Sequence, residues 1–308
     1  MGHPIDADDA ATAIVAPEAH AGFIWLHFNL SNQASRRWLL QHLVPPDAFL
    51  DALDETATRV EVGPGAIVAA IKDLAVFAPD GTEASPLVLL VTERLLVSAR
   101  RTPLRSIDRL HAAVRGGEQF RTPVGLFAHL LRDQAGMLEQ IVREANAQVD
   151  DVEDRLIAND VAASRSILGG LRRTLVKVQR LLTPMRVAMS RLLGKPPAWI
   201  AGDDLADLRD SVEDIGAAAA GCSEMIDRIK LLQDEVFAVV SEQTNRTLFI
   251  LTIVTVLALP MTIVSGFFGM NVAGVPFQHG GGFWLVVTLT IGASAAGAVL
   301  LLRRRGRS

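Results

Sequence analysis

A single cysteine, Cys222, in a chain of 308 residues excludes an intramolecular disulfide and a cysteine-rich metal cage. No G-x-S-x-G, HExxH or P-loop stretch is present, so the common hydrolase and nucleotide-binding signatures are missing. The N-terminus, MGHPIDADDAATAIVAPEAH, lacks the basic and apolar regions of a secretory signal. Asp6 stands where a myristoylation signal wants Ser or Thr. Residues 1–21 read as a disordered lead-in. The most informative absence is charge: between Thr247 and Leu302 there is no Asp, Glu, Lys or Arg.

That block contains two apolar runs, Leu248–Phe268 of 21 residues and Phe283–Leu302 of 20. About 20 apolar residues, rising ~1.5 Å each, cross a hydrocarbon core of ~30 Å. The spacing predicts two transmembrane helices, 248–268 and 283–302, joined by a loop at 269–282. All 34 acids lie before them, against 26 of the 30 bases, a net charge of −8 for that part. An acidic body argues against nucleic-acid binding and suits cation attraction. The loop carries no Lys or Arg, whereas Arg228, Lys230 and Arg246 precede the first span and RRRGR follows the second. The positive-inside rule puts both termini in the cytoplasm and the loop outside, a multi-pass arrangement in the cell's inner membrane. The basic tail, 303–308, reads as a stop-transfer anchor that also meets anionic head groups of the bilayer.

Residues 22–202 read as mixed α/β followed by helices. GFIWLHFNL alternates as a strand, with Phe23, Trp25, His27 and Asn29 on one face and Ile24, Leu26, Phe28 and Leu30 on the other. A helix capped by Ser31 or Asn32 follows, carrying Trp38, Leu39 and Leu43. PPDAFLDALD reads as a short helix opened by prolines. TRVEVGPGAIVAAIKDL and PLVLLVTERLLVSARR read as hairpins turning at Gly63–Gly65 and near Thr92–Glu93. Trp25 and Trp38 are expected in the core. From Arg105 onward the pattern is helical. One long helix begins near Pro123 and is acidic towards its end; the next is basic. They predict an antiparallel hairpin whose charges set its register. After KPPAWIAGDD, Asp203 or Asp204 caps a helix that meets no proline until Pro260. It would run about 65 residues, roughly 95 Å, with 203–247 as a cytoplasmic stalk.

Counting back from Thr262 in sevens gives Thr255, Leu248, Ser241, Asp234 and Asp227. Seven residues are nearly two turns, so these positions drift only ~20° per step and share one face. Each threonine alone is explained by packing, since such hydroxyls bond back to their own helix. As a stripe ending at an uncharged polar loop, they read as the lining of a pore. One hairpin cannot enclose an aqueous path, so the pore requires a ring of identical copies. Rings of Asp favour cations, and Asn271 with the Gly269 carbonyl could contact a hydrated divalent ion without trapping it.

Gly269-Met270-Asn271, at the outer end of the first of two C-terminal spans, resembles the signature of the CorA superfamily of divalent-cation transporters. FIWLHFNLSNQASRRWL, VDDVEDRL, LRRTLVKVQRLLTPMR and GMNVAGVPF resemble its ZntB branch of bacterial zinc transporters, over nearly the whole chain from Gly22. The resemblance implies an α+β membrane protein: a cytoplasmic α/β/α domain, a helical stalk and two transmembrane helices, assembled as a funnel-shaped homopentamer. It implies that Gly269, Met270 and Asn271 form the outer selectivity site, and it suggests proton coupling. Magnesium members usually carry an acidic stretch after the signature; here the loop reads VAGVPFQHGGG with no carboxylate. That favours Zn²⁺ as the cargo, ahead of Mg²⁺, Co²⁺, Ni²⁺ and Cd²⁺. His279 is the one loop side chain with real zinc affinity. No resident cofactor and no enzymatic activity are expected. A magnesium, cobalt or nickel channel is the alternative within the family. A membrane-anchored sensor or scaffold is the alternative outside it, and it has no need of aligned Thr and Asp.

Overall fold

The computed structural model describes residues 9–10, 22–43, 47–54, 57–77, 82–157, 160–270 and 282–305. Five strands form one mixed sheet: β1 (Ile24–Asn29), β2 (Arg59–Val62), β3 (Ala66–Leu74), β4 (Ala84–Thr92) and β5 (Leu95–Arg100). Their order is β1-β5-β4-β3-β2. Both expected hairpins form, β2 with β3 and β4 with β5, and all pairs are antiparallel except β1 with β5. The β2–β3 turn closes with Gly63 N–H donating to the Ala66 carbonyl at 2.8 Å. Ile67, Val68, Ala69, Ala70 and Ile71 of β3 are all buried, because helices cover both faces of the sheet.

Two short helices cover one face: α1 (Gln33–His42) and α2 (Asp47–Asp54). Asn32, rather than Ser31, caps α1 by accepting from Ala34 N–H at 2.9 Å. Leu39 and Leu43, with Phe49 and Ala52 of α2, pack on Leu26 and Phe28 and on alternate residues of β3, β4 and β5. The β1 alternation therefore sorts its side chains as expected. On the other face lies α3 (Arg105–Arg115), with α4 (Pro123–Ile157) and α5 (Val161–Gly194) beyond it. The result is the expected α/β/α layering. Prolines 45 and 46, offered as the opening of α2, fall outside the described residues.

Two polar groups, the buried Asp73 and the part-buried His27, tie the sheet to α3. Asp73, fully buried at the end of β3, accepts from the Ser106 backbone N–H at 3.1 Å and from the Ser106 hydroxyl. Burial pushes its carboxyl pKa up, opposed by those hydrogen bonds. His27 of β1 has both ring nitrogens engaged: Nε2 accepts from Arg100 Nε at 3.0 Å, and Nδ1 lies 2.9 Å from Ser98 Oγ. Trp25 Nε1 donates to the same Ser98 oxygen at 2.9 Å, and His111 of α3 meets both rings, tilted against Trp25 and edge-on to His27. Trp25 is thus a part-buried structural residue rather than a ligand stacker. Burial, with Arg100 and His111 close by, pushes the His27 pKa down to about 3.

The long helix, α6, spans Gly202–Gly269, 68 residues or ~100 Å. Neither expected aspartate caps it. The helix begins at Gly202 and Asp203 and Asp204 fall in its first turn, where carboxylates favour the N-terminal dipole. Asp204 Oδ1 accepts instead from Thr122 Oγ1 at 2.6 Å, joining the starts of α4 and α6. The acidic end of α4 clasps α6 through Arg228. That guanidinium donates to Glu153 Oε1 (3.0 Å), Glu153 Oε2 (2.8 Å), Asp150 Oδ1 (2.8 Å) and Asn146 Oδ1 (3.0 Å). A last helix, α7, spans Gly282–Arg305 and takes in the first three arginines of the basic tail.

The chain divides into two compact units, 1–233 and 234–308. The first part of α6, through Gln233, therefore belongs with the α/β/α unit. The apolar end of α6 is long and apolar enough to cross a membrane, and none of that stretch is buried within the chain. It is not the core helix of a soluble domain, which would be covered. In α7 the apolar stretch among the described residues is shorter, Trp284–Val299.

The depressed His27 pKa has a definite sign. Above pH ~6.5 the ring is neutral in both folded and unfolded states; below it only the unfolded chain takes up the proton. Stability should fall by about 1.4 kcal/mol per pH unit from ~6.5 towards the folded value. Denaturant titrations at several pH values should show that slope, and His27→Gln should remove one proton's worth of it.

A candidate cation pathway on the long helix

Within the first unit, α6 buries Leu208, Ile215, Ala218, Cys222, Met225, Ile229 and Leu232. Their spacing of three and four residues makes a seam along one side of the helix. Asp227 is exposed, and at ~100° per residue it lies on the opposite side from that seam. Along the apolar part of α6, in the second unit, the partly covered residues are Phe249, Ile253, Val256, Pro260 and Val264, again every three or four positions. Leu248, Thr255 and Thr262 are exposed and lie off that row, as do Asp234 and Ser241. In each unit, taken by itself, packing leaves the stripe uncovered.

The threonine hydroxyls are already committed. Thr262 Oγ1 donates to the Ala258 carbonyl at 2.8 Å and Thr255 Oγ1 to the Leu251 carbonyl at 2.9 Å. The packing explanation is therefore met for each residue. It also has a chemical consequence. A threonine whose proton points into its own helix offers only oxygen lone pairs outward. Such a face suits a cation or the oxygen-bound hydrogens of its water shell, and offers an anion nothing.

Three further threonines share this habit and were missed by counting in sevens. Thr252 donates to the Leu248 carbonyl at 2.8 Å, Thr244 to Val240 at 2.9 Å and Thr247 to Gln243 at 3.0 Å. Thr252 and Thr244 stand four residues either side of Leu248, so they flank the stripe. The signal was present as threonines at i±3 and i±4 from it.

Below the apolar part, Asp227 and Asp234 are exposed carboxylates. Arg228, next in sequence to Asp227, would neutralise this region were it free. Hydrogen bonds that its guanidinium donates to Glu153 and then to Asp150 instead hold it and raise its pKa. Its charge is satisfied on the α4 side, which leaves the stripe acidic.

At the other end of the stripe, Gly269 closes α6 and Met270 is exposed, its N–H 3.4 Å from the Phe267 carbonyl. Asn271 and His279 lie outside the described residues. Among the described residues no three His, Cys, Asp or Glu side chains converge on a metal-binding geometry. The stripe of one chain is thus a row of separated groups and not a cage.

An α/β/α unit and a helix of 68 residues with an exposed apolar segment form an architecture that solved structures of other proteins share. The chain matches the CorA-like Mg²⁺ transporter protein family over residues 20–304, and it belongs to that family. It is 26% identical over 257 residues to the zinc transport protein ZntB of Pectobacterium atrosepticum, covering 82% of this chain and 78% of that protein. It is 26% identical over 266 residues to ZntB of Cronobacter sakazakii, covering 85% and 80%. Among solved structures, full-length CmaX superposes with a TM-score of 0.76 at 25% identity, over 92% of this chain and 88% of that one. The CorA magnesium transporter of Methanocaldococcus jannaschii superposes at 0.72 and 21% identity, over 93% and 90%, a likeness of fold.

The lone native thiol makes the stripe experimentally addressable. Cys222 is fully buried, its Sγ donates to the Leu175 carbonyl at 3.2 Å, and burial pushes its pKa up to about 11. At neutral pH its thiolate fraction should be on the order of a hundredfold below that of a free cysteine. Cysteines introduced at Asp227 or Ser241 should label rapidly with a water-soluble maleimide while wild type stays unlabelled. Equal labelling of Cys222 would show that the seam is not packed as described.

Proposed function

We propose that this protein moves divalent metal cations, Zn²⁺ first, across a cell's inner membrane through a pore lined by α6. The observation that carries the reading is the uncovered stripe of Asp227, Asp234, Ser241, Leu248, Thr255 and Thr262, whose outward atoms are carboxylates and hydroxyl lone pairs. Residues 248–268 and 283–302 cross the bilayer, both termini face the cytoplasm, and 269–282 is the external loop. A single α6 cannot enclose water, so identical copies stand around an axis as a homopentamer and each stripe residue becomes a ring. The carboxylate rings concentrate cations below the membrane. The neutral Thr255 and Thr262 rings pass them without holding them.

Gly269, Met270 and Asn271 form the outer selectivity site in this reading. The Asn271 oxygen meets the ion through its water shell. His279, repeated in each copy, offers a transient nitrogen ligand to zinc. Zinc is favoured because the external loop has no carboxylate and because the ZntB proteins named above are zinc transport proteins. The family description and the likeness to a magnesium transporter favour Mg²⁺ as the second reading.

Reconstituted vesicles loaded with a zinc-sensitive or a magnesium-sensitive dye separate these. Wild type should admit Zn²⁺ faster than Mg²⁺, and Asn271→Ala should cut the zinc rate by about tenfold or more, the cost of one lost polar contact repeated around the ring. Oxidation of Ser241→Cys should join neighbouring chains in pairs, one disulfide using two thiols, and a bifunctional lysine-reactive cross-linker on the wild type should give a ladder ending at five chains. No flux of either ion from an assembled ring would sink the transporter reading and leave the anchored sensor. Repeating the assay across a pH gradient tests proton coupling.

A further inference from the structure

Pro260 sits inside α6. Proline has no N–H, so the Val256 carbonyl loses its i+4 donor, and the ring crowds that same carbonyl. The turn from Val256 to Pro260 is therefore the weak point of the apolar segment. Thr255 precedes that turn and Thr262 follows it. A change of bend there would move one threonine ring relative to the other.

α7 engages α6 at that turn. Ser294, 3% exposed, donates its hydroxyl to the Leu257 carbonyl at 3.4 Å. It does so although the carbonyl four residues back in its own helix is the usual partner, the one that Thr290 takes by donating to Val286 at 2.7 Å. One turn further along α7, Gly297 faces Val256: a Cβ placed there would come within 3.0 Å of Val256 Cγ1. A hydroxyl and a missing side chain thus meet the two residues that begin the weakened turn. Leu257 is also the carbonyl whose helical donor, Met261, directly follows the proline.

We propose that Ser294 is a positioning residue that acts through the Pro260 turn: with Gly297 it clasps Val256–Leu257 and sets the alignment of Thr255 with Thr262. The inference rests on the pore reading above for its effect on transport. The clasp itself is a property of the α6–α7 pair. Cutting it frees the proline turn to bend, which lowers the maximal rate while leaving the outer site and its affinity untouched.

The experiment is a double-mutant cycle in the full-length protein, using Ser294→Ala with and without Pro260→Ala. Assembly of every variant is checked by size-exclusion chromatography. Two readouts are taken: zinc flux into dye-loaded vesicles over a range of Zn²⁺, and hydrogen exchange of the peptide covering 256–264. With Pro260 present, Ser294→Ala should lower maximal flux and speed exchange by about fivefold, one hydrogen bond's worth, at an unchanged half-saturating concentration. With Pro260→Ala, where the ladder is complete, Ser294→Ala should change neither. Gly297→Ala should act in the same direction as Ser294→Ala and stands in for it should that variant fail to assemble. Equal effects in both backgrounds would make Ser294 a packing residue and overturn the proposal. So would unchanged exchange, or faster exchange with unchanged flux. A silent wild type would remove the pore reading and the transport role with it, while the exchange data would still judge the clasp.

Discussion

The circumference of α6 is the constraint on which the rest depends. A helix has one circumference, and apolar side chains spaced by three and four claim one side of it. In the first unit Leu208, Ile215, Cys222, Ile229 and Leu232 bind α6 into the helical layer. In the second, Val256 and Pro260 are on the side engaged by α7. What remains open is not chosen independently. It is the complement of what is buried, and along this helix the complement carries carboxyl and hydroxyl oxygens.

Electrostatics works by the same subtraction. The end of α4 holds Arg228 through four hydrogen bonds from one guanidinium, three to the carboxylates of Glu153 and Asp150 and one to the Asn146 amide oxygen. A bidentate, multiply bonded arginine of this kind is fixed in direction and contributes little to its surroundings on the other side of the helix. Exposed ion pairs of α4, such as Arg143 with Glu139, are of the i,i+4 type and contribute only tenths of a kcal/mol, about 0.5 at most. The clasp at Arg228 matters through placement: it ties α4 to α6 beside Asp227 without covering it.

The reading of the apolar segment follows from solvation. A stretch of α6 in which no residue is fully buried within its own chain, and most of whose apolar side chains are exposed, needs lipid or other copies of itself around it. Within lipid, backbone groups must find partners inside the protein. The threonine hydroxyls turn inward to their own helix, and the Ser294 hydroxyl of α7 goes to the Leu257 carbonyl, the neighbour of the one that Pro260 leaves without its donor.

Much of this was legible in the sequence. Period-two alternation gave β1 its two faces, Gly63-Pro64-Gly65 gave the β2–β3 turn, and the charge-free block marked the exposed apolar part of α6. The seven-residue spacing gave the stripe. These are local properties, decided by backbone sterics and by which side chains water rejects, so they can be read one segment at a time. Other features join residues far apart in the chain and required the tertiary structure. Sequence order could not say that Asp204 would answer Thr122 instead of capping its own helix, or that the acids of α4 would hold Arg228. Nor could it pair Ser294 with Leu257. Polar groups choose among partners by geometry, and the geometry exists only once the apolar seams have packed.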